Sequence, residues 1–228
     1  MAEDKPHYHG HRGRLRARFL KDLGASLPDY ELVEMLLFSA HPRGDVKPLA
    51  KALLAHFKES LADLLAAAPS EIREVKGASD ATVAALKTVH LATVRAAREE
   101  VADKPVISSW RQLLDYCHAA MAREKREHFR VLFLDRRNCL MADEVQGTGT
   151  VDHTPVYPRE VVKRALELGA SAIIMVHNHP SGDPTPSQGD IEMTHEVRET
   201  ATRLGITLHD HVVIGRKGHT SFRNKGLL

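Results

Sequence analysis

Apolar and polar positions recur along this chain with two different periods, and the change falls near residue 103. Before it the apolar residues sit at helical spacing. Leu32, Val33, Met35, Leu36 and Leu37 predict a helix over 30–39, opened by Pro28-Asp29. Leu49, Leu53, Leu54 and Phe57 predict a second over 48–57, and 61–68 reads as a short third. Residues 70–75 give way to Lys76-Gly77-Ala78-Ser79. A long helix over 80–101 follows, with Val83, Leu86, Val89 and Val94 as its inward stripe. Past Glu99-Glu100-Val101-Ala102-Asp103-Lys104-Pro105 the runs shorten and turn signals multiply.

In the second half a helix is predicted over 110–121. Residues 129–134 are apolar on both faces except Arg130, as in a covered central strand. Arg136-Arg137-Asn138 reads as a turn and 140–145 as the returning strand, followed by a loop at Gly147-Thr148-Gly149-Thr150. Pro158 and Gly169 bracket a helix. A buried strand over 171–176 ends on His177, and a proline-rich loop runs from Pro180 to Pro186. A helix over 190–204 stops at Gly205, and a strand over 206–214 leads to a turn at Arg216-Lys217-Gly218. The pattern implies an α/β fold: a mixed-sheet domain over 104–228 preceded by an all-α domain over 1–103.

The net charge is only +2, so any affinity for nucleic acid must come from a local patch. Arg12, Arg14, Arg16 and Arg18 with Lys21 form a basic run that can neutralise a few phosphates. Its simpler reading is a solvated helix end or a mobile arm. The two cysteines, Cys117 and Cys139, form no CxxC, which argues against a disulfide scaffold and a thiolate zinc site and fits a reducing cytoplasm. The first 18 residues are polar and basic, and apolar runs such as 172–176 fall far short of a membrane span. A cytoplasmic protein without membrane contact is expected.

The chemistry concentrates in His177-Asn178-His179-Pro180 … Ser187-Gln188-Gly189-Asp190. Two histidines spaced i, i+2 at a strand end face the same side and can grip one ion. The following loop turns the chain back, and Asp190 in the next helix supplies a third ligand. Two imidazoles, one carboxylate and an open fourth position make the pattern of a catalytic zinc site. Zinc lowers the pKa of a bound water from about 15.7 to about 7. A hydrolase also needs a general base. Glu127, just ahead of the central strand, is the best placed, with Glu124 and Glu144 as neighbours. Ser187 can donate to a developing oxyanion. The same Ser187-x-x-Asp190 also reads as a helix cap with an acidic first turn. Fifteen histidines make chance pairs common. His209-Asp210-His211 is a competing pair, read as supporting the first or as plain structure. His7, His9 and His11 alternate in a polar terminus, where disorder is expected over ligation.

With a glutamate upstream, this stretch resembles the JAMM (MPN-plus) metalloprotease motif HxHPx(6)SxxD. The wording His177-Asn178-His179-Pro180-Ser181-Gly182-Asp183-Pro184, with Pro158-Arg159-Glu160-Val161, Gly149-Thr150-Val151 and Asp210-His211, is similar to the bacterial RadC-like branch. Gly10-His11-Arg12-x-Arg14-Leu15-x-x-Arg18-Phe19 and Ser221-Phe222 resemble it as well. The resemblance implies a JAMM-like (cytidine deaminase-like) domain. It implies Zn2+ on His177, His179 and Asp190, Glu127 as general base and Ser187 at the oxyanion; JAMM proteins cut peptide or isopeptide bonds, and the resemblance does not imply the natural substrate of the RadC-like branch. It also implies a helix-hairpin-helix module at Ile72–Ser79. There Ser79 stands in place of the second glycine of the usual G-x-G, which restricts approach to a phosphate. Ser79 is instead a good helix cap. The alternative function is a DNA-binding accessory protein of repair or recombination with a non-catalytic metal.

Overall fold

The helical half starts earlier than its apolar periodicity predicts. In the computed structural model, which describes residues 10–102, 104–148 and 156–228, α1 spans His11–Asp22 and is followed by α2 (Asp29–Ala40), α3 (Lys47–His56), α4 (Leu61–Ala66), α5 (Pro69–Arg73) and α6 (Asp80–Ala102). Leu15 is the one buried residue of α1, so the helix leaves almost no apolar stripe to read. Polar contacts hold it instead. The Arg12 guanidinium donates to the carbonyls of His41 (2.6 Å), Pro42 (3.0 Å) and Gly44 (3.0 Å) and lies over the Phe38 ring. Arg18 bonds Glu31 at 3.1 Å, and His11 Nε2 lies 2.8 Å from Glu34 Oε1. The expected arm or solvated helix end is therefore a docked helix for Arg12 and Arg18, and His11 is ordered. His7 and His9 lie outside the described residues.

Leu15, Val33, Leu37, Leu53, Leu64, Ile72 and Leu86 form the core of this half. Residues 70–75 contain the short α5, entered through Pro69 at its first turn. Ser79 caps α6: Thr82 N–H donates to Ser79 Oγ (3.3 Å), and Ser79 N–H donates back to Thr82 Oγ1 (3.1 Å). The chain forms two compact units, 1–92 and 93–228, and the division falls inside α6.

The second unit adds α7 (Trp110–Met121), β1 (His128–Leu134), β2 (Leu140–Thr148), α8 (Pro158–Leu168), β3 (Ala172–Asn178), α9 (Gln188–Arg203), β4 (Thr207–Gly215) and β5 (Gly218–Ser221). Its sheet runs β2-β1-β3-β4-β5. Only β3 and β4 are parallel; the other neighbours are antiparallel. Alternation along the strands splits the core into two layers. Leu132, Leu134, Ile174, Val176, Val212 and Ile214 pack under α7. Phe129, Val131, Phe133, Ile173 and Met175 pack with Val161, Val162 and Val197 of α8 and α9. The strand predicted to end on His177 continues through Asn178, because β4 pairs with it as far as Ile214. The unpredicted β5 is four residues that pair back on β4. No described helix is long and apolar enough to cross a membrane.

Candidate metal centre

His177 sits on β3 and His179 just beyond its end. His179 N–H donates to Ile214 O (3.0 Å), Gly182 N–H to His179 O (2.9 Å), and Arg216 N–H to Gly182 O (3.1 Å). The proline-rich loop is thus strapped to the end of β4. Gly215 lies under the strap, where a Cβ would collide with the Gly182 carbonyl oxygen, so the close approach needs glycine. Ser187 then caps α9. Its Oγ accepts from Asp190 N–H (3.2 Å) and donates to Asp190 Oδ2 (2.6 Å), while Ser187 N–H donates to the same oxygen (2.7 Å).

Three ligand side chains converge. His177 Nε2 and His179 Nε2 are 3.0 Å apart. Asp190 Oδ1 is 3.5 Å from the first, and Asp190 Oδ2 is 3.6 Å from the second. His179 Nδ1 faces the Asp183 carbonyl at 2.8 Å, and a carbonyl only accepts. The Nδ1 therefore carries the proton and Nε2 presents a lone pair. On the other side Thr194 Oγ1 donates to Asp190 O (2.5 Å), so it accepts from His211 Nδ1 (2.6 Å). Neutral His211 then accepts at Nε2 from His177 Nδ1 (2.8 Å). His177 Nε2 is left with a lone pair too. Two lone pairs and a carboxylate aimed at one another call for a cation between them. An ion with ligand bonds of about 2.0–2.1 Å in tetrahedral geometry spaces its ligands about 3.3 Å apart, close to the separation of each neighbouring pair of side chains here. Among the described residues, this is the one group of three His, Cys, Asp or Glu side chains able to hold a metal.

Electrostatics show a site that favours positive charge beside Asp190, which a proton on an imidazole or a metal ion can supply. Burial opposes ionisation of Asp190, but hydrogen bonds from His177 and His179, the His177 charge and the Ser187 bond outweigh it and hold the carboxyl far below its usual range. The bond to Asp190 raises His179 against the effect of burial, and the Glu127 charge adds to the rise. Burial, then the His177 charge, keeps His211 well below the usual imidazole range and so neutral.

Glu127 is buried one residue ahead of β1, whose Phe129 pairs with His177. The neighbouring carboxylates are engaged elsewhere. Arg164 bonds both oxygens of Glu144 at 2.7–3.1 Å, and Glu124 faces His128 at 3.8 Å. The His209-Asp210-His211 pair is split by a register shift that skips His209. His211 joins the centre, whereas His209 bonds Asn138 at 2.6 Å. Asp210 accepts from Ser221 and from the N–H groups of His211 and Arg223, anchoring β5. Sequence reasoning missed Thr194 and Asn178. The signal for Thr194 is its spacing: one helical turn past Asp190, on the same face.

The family model described as the RadC-like JAB domain matches residues 107–227. The matched region contains the whole sheet and the converging triad, an arrangement compatible with a JAMM-like metal-dependent hydrolase fold. A match over more than half of the chain, spanning every strand and the loop that bring the three ligand side chains together, places this chain in the RadC-like JAB family.

Proposed function

We propose that the second unit is a zinc-dependent hydrolase of peptide-type bonds, peptide or isopeptide. The observation that carries the reading is the set of acceptor atoms of His177, His179 and Asp190 facing one another at 3.0–3.6 Å, with the tautomers of both histidines fixed from behind. When bound there, the ion supplies Lewis acidity to a water and to the substrate carbonyl. Glu127 takes the proton from the attacking water and returns it to the leaving nitrogen. Ser187 Oγ turns its proton from Asp190 to the substrate oxygen as charge develops, while Ser187 N–H continues to hold Asp190. Metal analysis of the purified protein tests the reading. Stoichiometric zinc in wild type is expected; a metal-free wild type that cannot be reloaded would remove it. Glu127→Gln is expected to retain zinc and to co-purify with uncleaved substrate.

A second reading draws on the turn between α5 and α6, where Gly77 takes φ +94° ahead of a long helix. It is a phosphate contact of helix-hairpin-helix type by the first unit, serving an accessory role in DNA repair or recombination. The amides of Ala78 and Ser79 are bonded to Val75 O and Thr82 Oγ1, so the contact falls to later amides of α6. Salt-dependent binding of duplex DNA by the full chain tests it, and no binding at low salt rejects it.

A further inference from the structure

Between the two candidate ligand histidines stands a residue that no ligand motif uses. Asn178 is fully buried, and strand alternation sends its side chain to the opposite side of the sheet from His177. There it meets the segment that follows α7. Its Oδ1 accepts from His128 N–H (2.9 Å), and its Nδ2 donates to Arg126 O (3.0 Å) and Glu124 O (3.3 Å). The orientation of the amide is fixed by its partners, since two carbonyls only accept and one N–H only donates. Arg126 O belongs to the peptide group before Glu127, and His128 N–H to the peptide group after it. One side chain therefore clamps both peptide planes that flank Glu127, which fixes φ and ψ of that residue and the direction of its Cβ.

We infer that Asn178 is a positioning residue for Glu127, coupling the base to the strand that carries His177. The inference rests on the proposed reading of Glu127 as the general base. It makes one three-residue segment responsible for both halves of the site: the imidazoles on one side and the aim of the carboxylate on the other. The other short polar side chains do not reproduce the clamp. Aspartate would turn an oxygen toward two carbonyls, and serine cannot span three backbone groups.

Three measurements on the full chain decide it, each on wild type, Asn178→Ala, Glu127→Gln and the double variant. Amide exchange at His128 is expected to be slow in wild type and at least tenfold faster in Asn178→Ala. Zinc affinity, titrated with zinc alone against a chelator, is expected to stay within about threefold of wild type. The visible absorption of the cobalt(II)-loaded protein is expected to shift in Glu127→Gln and to shift the same way in Asn178→Ala. The double variant should match Glu127→Gln alone. Loss of zinc in Asn178→Ala, or a cobalt spectrum that only Glu127→Gln changes, overturns the inference. A cobalt spectrum that Glu127→Gln leaves unchanged, with zinc still bound, overturns the role of Glu127 itself and the inference with it. Asn178→Ser serves if Asn178→Ala does not fold, and fast exchange of His128 N–H in wild type would refute the clamp without any variant.

Discussion

The two units each bury histidine against carboxylate, and only one of the two clusters is suited to hold an ion. In the first, His11 meets Glu34 and Arg18 meets Glu31, each base closing on an acid from the neighbouring helix. In the second, His177, His179 and Asp190 turn three acceptors toward one another; the two imidazoles keep their donors facing outward, to His211 and to Asp183 O, while Asp190 accepts from Ser187 N–H. Proximity of histidine and carboxylate is common to both. Convergence of lone pairs, enforced by a layer of partners behind them, belongs to the second alone. That distinction is invisible in a list of residue types, and it separates a docking contact from a metal site.

The comparison breaks if the wrong cluster controls the metal. His177→Ala and Asp190→Ala are expected to lose stoichiometric zinc by elemental analysis, whereas His11→Ala keeps one ion per chain. A loss shared by all three would put the metal elsewhere. His11→Ala should instead cost about 2 kcal/mol of unfolding free energy in denaturant titration, because it leaves the buried Glu34 without its partner. Thr194→Val sharpens the argument about orientation. It removes the acceptor that sets His211, and with it His177, so zinc affinity should fall about tenfold, or about 1.4 kcal/mol, with the fold intact. The smallest effect is a control on the sheet. Burial pushes the Cys117 thiol up to about 12, so very little thiolate forms in the native state at pH 8. Alkylation of the native protein at pH 8 is expected to add one label, at Cys139, in wild type and in every variant above. A second label would show that the core under α7 has opened.

Much of the second unit was legible because its signals are local. Pro158 and Gly169 bracket α8, and the apolar runs of β1 and β3 are long enough to declare covered strands. His-x-His at a strand end, with Asp190 at the third position of a capped helix, could be read from spacing. What could not be read depended on register. Which of His209 and His211 reaches the centre is decided by a bulge in the β3–β4 pairing. That Asn178 reaches back to residues 124–128 is decided by β1 lying beside β3. α1 was missed for a different reason. A helix that docks through guanidinium contacts to carbonyls carries no hydrophobic period, so a charge-rich segment of this kind reads as solvated until its partners are seen.

The backing of the two imidazoles is unequal in kind. His177 is oriented by side chains, His211 and then Thr194, so one nucleotide change can unsettle it. His179 is oriented by the main-chain oxygen of Asp183, which every amino acid supplies. Drift in the loop sequence therefore leaves the second ligand aligned as long as the path of the backbone survives. The first ligand ties the fate of β3 to the identity of residues on β4 and α9, and mutational scanning should find more tolerance at Asp183, whose carboxylate among the described residues bonds only Thr185 of its own loop, than at His211.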